Sequence, residues 1–224
     1  MSDKNQELAA VMELLASRIC HDLISPVGAI HNGIEFMEEM ANEEISDAMD
    51  DALGLIKHSA SQSTAKLQAF RMAYGAGGHD TNLKPEDVQK CFGELIAAEK
   101  KISQMWDPYG NLGPNDDGKP FPKGYPKMLM GAMMMAQETL MKGGDIMIKA
   151  GEGAQTVIIA MGDGATVRDS VEEALKGDIN VDDLDPRLVH PYALGVLARG
   201  YGYTLSIVKQ SDGRIEFTLD CPKN

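Results

Sequence analysis

His21 lies on the wrong side of its helix to be a core residue. It stands two positions from both Ile19 and Leu23, and at 100° per residue it points roughly 160–200° away from the apolar stripe to which they belong. A solvent-facing imidazole near pH 7 offers a nitrogen lone pair that can attack a phosphoryl group. Phosphoryl transfer passes through a loose transition state, so the work left to a protein is to position donor and acceptor and to balance charge. Five residues on stands Pro26, which has no N–H to donate to the carbonyl of Asp22. A proline inside a helical pattern costs about 3 kcal/mol, and a reactive site is one reason to tolerate it. The plainer alternative is a surface histidine beside a kink that suits packing. Arg18, one turn back on roughly the same face, can neutralise phosphoryl oxygens, hold Asp22 or simply be solvated. Cys20 invites a thiol–imidazole pair with His21, but helix neighbours project about 100° apart and do not face each other. His31, His58, His79 and His190 have no comparable setting.

A long rigid element must carry these residues. Leu8, Met12, Leu15, Ile19, Leu23, Val27, Ile30, Ile34 and Met37 recur at steps of three or four, the period of an amphipathic helix. After the polar break Ala41-Asn42-Glu43-Glu44 comes a second series: Ile45, Met49, Ala52, Ile56, Ser59, Ser63, Leu67, Phe70 and Tyr74. The glycine-rich stretch 75–78 stops this second helix. Each arm is about 45–50 Å long, and two arms cover only part of each other's apolar stripe. A second copy supplies the rest, so the expectation is a homodimer in which two hairpins form a four-helix bundle about a twofold axis.

The pattern changes beyond the hairpin. It predicts a helix over 85–98, a strand over 101–106, a loop rich in Pro and Gly over 107–126 and a helix over 128–141. Strands over 145–150 and 156–161, helices over 167–175 and 191–199, and strands over 203–210 and 214–221 follow. The last two strands are joined at Ser211-Asp212-Gly213, whose Asp-Gly pair suits a hairpin. The fold class is α+β: a helical hairpin over 1–76 and an α/β sandwich over 77–224. Met128, Met130, Met133, Met134 and Met135 are read as core packing, since methionine fills irregular gaps.

Composition bounds the partners. The 224 residues are 43% hydrophobic and 25% charged, the proportions of a folded globular chain. Thirty-four acidic against 21 basic residues leave a net charge of −13, which repels nucleic acid and anionic lipid. The longest uncharged apolar run, 128–136, is far short of the roughly 20 residues of a spanning helix. The first residues lack the pattern of a secretory signal, so a cytoplasmic location is expected. Cys20, Cys91 and Cys221 are odd in number and widely spaced, giving neither a disulfide framework nor a metal pair.

The run Arg18-Ile19-Cys20-His21-Asp22-Leu23-Ile24-Ser25-Pro26 resembles the H-box of two-component signalling proteins, where an acidic residue and then proline follow the phosphorylated histidine. The second half resembles the Bergerat-type ATP-binding domain of histidine kinases, with its nucleotide residues replaced. Aligned on Gly143-Gly144, Met135 and Gly131 stand where that family has magnesium-binding and preceding asparagines. Ala160, before Met161-Gly162-Asp163-Gly164, replaces the adenine-reading aspartate, and Tyr192-Ala193-Leu194-Gly195-Val196 keeps one glycine of a phosphate loop. An H-box hairpin joined to an eroded kinase-like domain is similar to the ChpT-type histidine phosphotransferases of alphaproteobacteria, which act in cell-cycle regulation.

That resemblance implies a relay without ATP. A phospho-aspartyl receiver domain of a hybrid kinase gives its phosphoryl group to His21, which passes it to the receiver of a response regulator. Asp22 accepts the other imidazole proton. The chain carries no cofactor or metal of its own, magnesium belonging to the receiver. Ser25, Gly28 and Asn32, one and more turns beyond His21 on the exposed side, are expected to touch the receiver. So are Gln68 and Arg71 from the second helix and Arg168 from the second domain. The rival readings are an active kinase with unusual nucleotide boxes and a non-catalytic dimeric adaptor.

Overall fold

The computed structural model describes residues 3–40, 46–75, 83–97, 101–108, 112–113 and 121–222. Two long helices, α1 (Asp3–Glu39) and α2 (Ser46–Tyr74), form the expected hairpin. They meet along a seam of small residues: Ala52, Ser59 and Ser63 are buried on α2. Ser63 satisfies its hydroxyl by donating to the Ser59 carbonyl at 2.9 Å. On α1, a Cβ at Gly33 would come within 2.7 Å of Ile56 Cγ1, so glycine sets the helix spacing here. The polar break at 41–44 and most of the glycine stretch, with His79, lie outside the described residues.

Pro26 is buried and α1 continues through it. The Asp22 carbonyl that it leaves without a helical partner accepts instead from Lys66 Nζ of α2 at 3.1 Å. The two helices cover only part of the apolar stripe, as anticipated. Leu8, Met12, Val27 and Ile34 on α1 stay exposed, with Leu53 and Leu67 on α2.

The second half contains α3 (Pro85–Ile96), β1 (Ile102–Trp106), α4 (Tyr125–Glu138), β2 (Gly144–Ala150) and β3 (Gln155–Met161), then α5 (Val171–Lys176), α6 (Val189–Tyr201), β4 (Thr204–Lys209) and β5 (Ile215–Asp220). The five strands make one sheet in the order β1-β2-β3-β5-β4. β1 runs parallel to β2, and every other pairing is antiparallel. One register row crosses the whole sheet: Trp106, Ile148, Ile158, Phe217 and Ile207. These side chains share a core with Phe92 of α3, Met128 and Met130 of α4 and Leu194 of α6, so helices cover one sheet face as in a two-layer sandwich. The α4 methionines are almost entirely buried, which bears out core packing.

Element boundaries differ from the sequence expectation most at α4 and α5. α4 starts at Tyr125 and ends at Glu138 rather than spanning 128–141. Gly124 at φ 83° supplies the left-handed entry and Pro126 sits in the first turn, where its missing N–H costs nothing. The helix expected over 167–175 starts at Val171, because Ser170 takes φ 63°. Two 3-10 turns, Val181–Asp183 and Pro186–Leu188, precede α6. Asn180 and Asp185 build them by accepting from the N–H groups of Asp182 and Arg187 at 3.3 and 2.7 Å, the local bonding that favours Asn and Asp in turns.

Both arms of the hairpin are anchored to the second half. Ala69 and Ala73 of α2 enter the same core as Phe92 and Met128. The Lys127 ammonium caps α2, donating to the carbonyls of Ala73 at 3.2 Å and Gly75 at 2.6 Å, and burial lowers its pKa. On α1, Ala10, Val11, Leu14 and Leu15 pack against Val181, Leu184, Leu188, Val189 and Tyr192. Among the described residues, no helix is long and apolar enough to cross a membrane.

Candidate functional site

The His21 side chain is 88% exposed, on the outer face of α1 as the helical geometry requires. Its Nδ1 lies 3.3 Å from Asp22 Oδ1. A carboxylate can only accept, so this contact places the ring proton on Nδ1 and leaves the Nε2 lone pair facing solvent. Lys66, by holding the Asp22 carbonyl, fixes the backbone that carries both side chains. Sequence reading missed Lys66, although the loss of a helical bond at Pro26 announced that some donor must serve the Asp22 carbonyl.

Arg18 reaches in two directions. Its Nε lies 3.5 Å from Asp22 Oδ2, while Nη2 donates to Glu138 Oε1 at 2.7 Å. Burial opposes the charge of Arg18, but the Glu138 and Asp22 carboxylates outweigh it and hold the guanidinium pKa above its ordinary value. Arg18 is thus placed beside Asp22, as one of the sequence alternatives has it. Glu138, at the end of α4, was not singled out from sequence.

Behind Glu138 lies His190, fully buried at the start of α6. Its Nε2 is 3.0 Å from the Gly131 carbonyl, to which it donates, and its Nδ1 is 3.9 Å from Glu138 Oε1. Burial lowers the His190 pKa below its ordinary 6.5, with Glu138 opposing. In the unfolded chain this histidine therefore takes up a proton at higher pH than in the folded one. The stability contributed by neutral His190 is fully present above 6.5 and is lost as pH falls from there toward the folded value. The melting temperature is expected to drop between about pH 7 and pH 5, and to drop less in His190→Gln, which retains a donor to Gly131. Parallel curves for the two proteins contradict this assignment.

Ser25 and Asn32 are exposed and Gly28 is half-buried, at the spacing that repeats the His21 face along α1. A Cβ on Gly28 would meet nothing within 4 Å, so tight packing does not account for glycine there. Gln68 and Arg71 are also exposed. They lie roughly 200° and 140° around α2 from Lys66, and both face solvent. Arg168 is exposed and lines a small cavity with Met135, Glu138, Thr139, Val171 and Pro191. That cavity, about 20 Å³, holds one water at most. Met135 fills the space beside it, and Ala160 is fully buried on β3. Gly131 faces the Leu194 side chain. Gly195, the one glycine kept of the phosphate-loop pattern, is buried where a Cβ would overlap the Leu175 carbonyl oxygen.

Comparison with known proteins agrees with this architecture. The family model for the histidine phosphotransferase C-terminal domain matches residues 85–213. The protein phosphotransferase ChpT of Brucella abortus (strain 2308) is 34% identical over 199 residues, covering 87% of this chain and 88% of that protein. A solved structure described as a 1.7 Å structure of a bacterial phosphotransferase superposes with a TM-score of 0.74 at 28% identity, covering 98% of each chain. By family match, by identity and by fold, the chain belongs to the ChpT-type histidine phosphotransferases.

Proposed function

We propose that the chain relays phosphoryl groups between aspartates of receiver domains, with His21 as the phosphoacceptor. The observation that carries this reading is the exposed imidazole whose Nδ1 is engaged by Asp22 at 3.3 Å. Nε2 attacks the phosphorus of a receiver's acyl phosphate. The N–P bond forms as the P–O bond to aspartate breaks, and that carboxylate leaves. The phosphoimidazolium that results keeps the proton on Nδ1, where it donates to the Asp22 carboxylate, which stabilises the developing charge. The return step, onto an aspartate of a second receiver, reverses these bonds. Magnesium in this reading is brought by the receiver.

Ser25, Gly28 and Asn32 form the strip beyond His21 along which a receiver docks, the bare Gly28 admitting its backbone closely. Arg168, beside the cavity that contains Glu138, is positioned to offer a second contact from the C-terminal half. ATP plays no part. Met135, buried on α4, and Ala160, buried on β3, offer no metal ligand or adenine acceptor, which supports this reading.

The functional unit is a homodimer. Exposed Val27 and Ile34 on α1, with Leu53 and Leu67 on α2, are the uncovered stripe that a second hairpin buries. Sedimentation equilibrium is expected to return twice the chain mass, and Val27→Glu with Leu67→Glu to return the monomer; a monomeric wild type contradicts this. The relay itself is tested by offering the protein radiolabelled ATP, then a labelled receiver. Label arriving only from the receiver is the expected result. Label from ATP alone makes the chain a kinase, and label from neither makes it an adaptor.

A further inference from the structure

Arg18 joins the candidate phosphoacceptor pair to the other half of the molecule. Its guanidinium lies between Asp22, 3.5 Å away on α1, and Glu138, 2.7 Å away at the end of α4. Glu138 is 120 residues distant in sequence yet belongs to the same chain. Both partners of this ion pair are about three-quarters buried, at 23% and 27% side-chain exposure, so it is less screened than a surface pair. The groups facing it come from four elements: Asp22 on α1, Tyr74 on α2, Glu138 on α4 and His190 on α6. Lys66 is occupied with the Asp22 carbonyl. The Tyr74 ring meets His190 edge-on at 5.8 Å, closing the cluster from behind.

We propose that Glu138 is a positioning residue for phosphoryl transfer at His21, acting through Arg18. The inference rests on the reading of His21 as phosphoacceptor. A guanidinium is a planar fork with donors on separate edges. Glu138 holds one edge, which places the other beside Asp22 Oδ2 and leaves Oδ1 for the His21 Nδ1 proton. Without Glu138 the fork has two choices. It closes on both oxygens of Asp22 as a bidentate pair, drawing them from the imidazole, or it swings into solvent and leaves the carboxylate unsteadied. Either outcome loosens the tautomer that keeps the Nε2 lone pair outward. The eroded kinase-like half thereby completes the site on its own chain's hairpin.

The test is a double-mutant cycle on the full chain: Glu138→Gln, Arg18→Met and both together. Two readouts are taken, the rate of phosphoryl transfer from a phosphorylated receiver and the ¹⁵N chemical shifts of the His21 ring. Glu138→Gln is expected to lower the maximal rate about tenfold with little change in the receiver concentration for half-maximal rate. Its ring shifts are expected to move away from the Nδ1–H tautomer. In the Arg18→Met background the same change is expected to have no further effect. Glu138→Asp, which keeps the charge but withdraws it by one methylene, is expected to fall between wild type and Glu138→Gln, and it serves if the glutamine variant folds poorly. A wild-type rate with unchanged ring shifts overturns the proposal. So does a slowing that persists without Arg18, or one confined to receiver affinity. A wild type that accepts no label overturns instead the reading of His21, and the ring shifts still decide whether Glu138 sets the tautomer.

Discussion

His21→Gln is expected to abolish uptake of label from a phosphorylated receiver, a loss of at least about a thousandfold. The argument is chemical. A relay intermediate must hold the phosphoryl group covalently between two encounters, and glutamine has no lone pair basic enough to form the N–P bond. The side chain is 88% exposed, so replacing it changes stability by no more than about 0.5 kcal/mol. Loss of transfer in a protein of unchanged melting temperature separates removal of the acceptor from collapse of the hairpin. Retained uptake moves the acceptor to another residue and removes the basis for Asp22, Arg18 and Glu138 as its supports.

The second large effect is one of packing. Gly195→Ala is expected to cost about 2–3 kcal/mol, lowering the melting temperature by roughly 5–10 °C for a chain of this size. A Cβ at this position collides with the Leu175 carbonyl oxygen. That atom is backbone, at the end of α5, and also accepts from Arg199 Nη1 at 2.8 Å, so it cannot turn aside as a flexible side chain would. In the sequence this glycine looks like the remnant of a phosphate loop. In the structure it lets α5 and α6 touch, and these elements bear the face on which Leu14 and Leu15 of α1 rest. A melting temperature unchanged by the substitution contradicts this packing account.

The hairpin and the exposed face that carries His21 were legible because they obey local rules. A period of three to four residues fixes the helix faces, and any residue two positions from the stripe must point out, as His21 does. The sheet was legible from alternation and the Asp-Gly turn. Glu138 was not, because nothing local distinguishes it from another helix-terminal carboxylate. Its meaning comes from meeting Arg18 across 120 residues. Lys66 was half legible: Pro26 announces an orphaned carbonyl, but which residue serves it depends on how α2 lies against α1. For Gln68 the place along α2 was legible but not the angle toward α1, which is set by the residues that face α1. The late start of α5 turns on Ser170 adopting φ 63°, a conformation that composition does not announce for serine.

The central claim is most directly tested by locating the phosphate. The wild-type chain is loaded from a phosphorylated receiver, freed of the donor and divided. Phosphorus NMR and mass spectrometry of one portion are expected to show a single phosphohistidine, bonded through Nε2 of residue 21. Addition of a fresh, unphosphorylated receiver with magnesium to the other portion is expected to move the group onto the receiver's aspartate. Phosphate on any other residue, or a phosphohistidine that the second receiver cannot discharge, contradicts the relay.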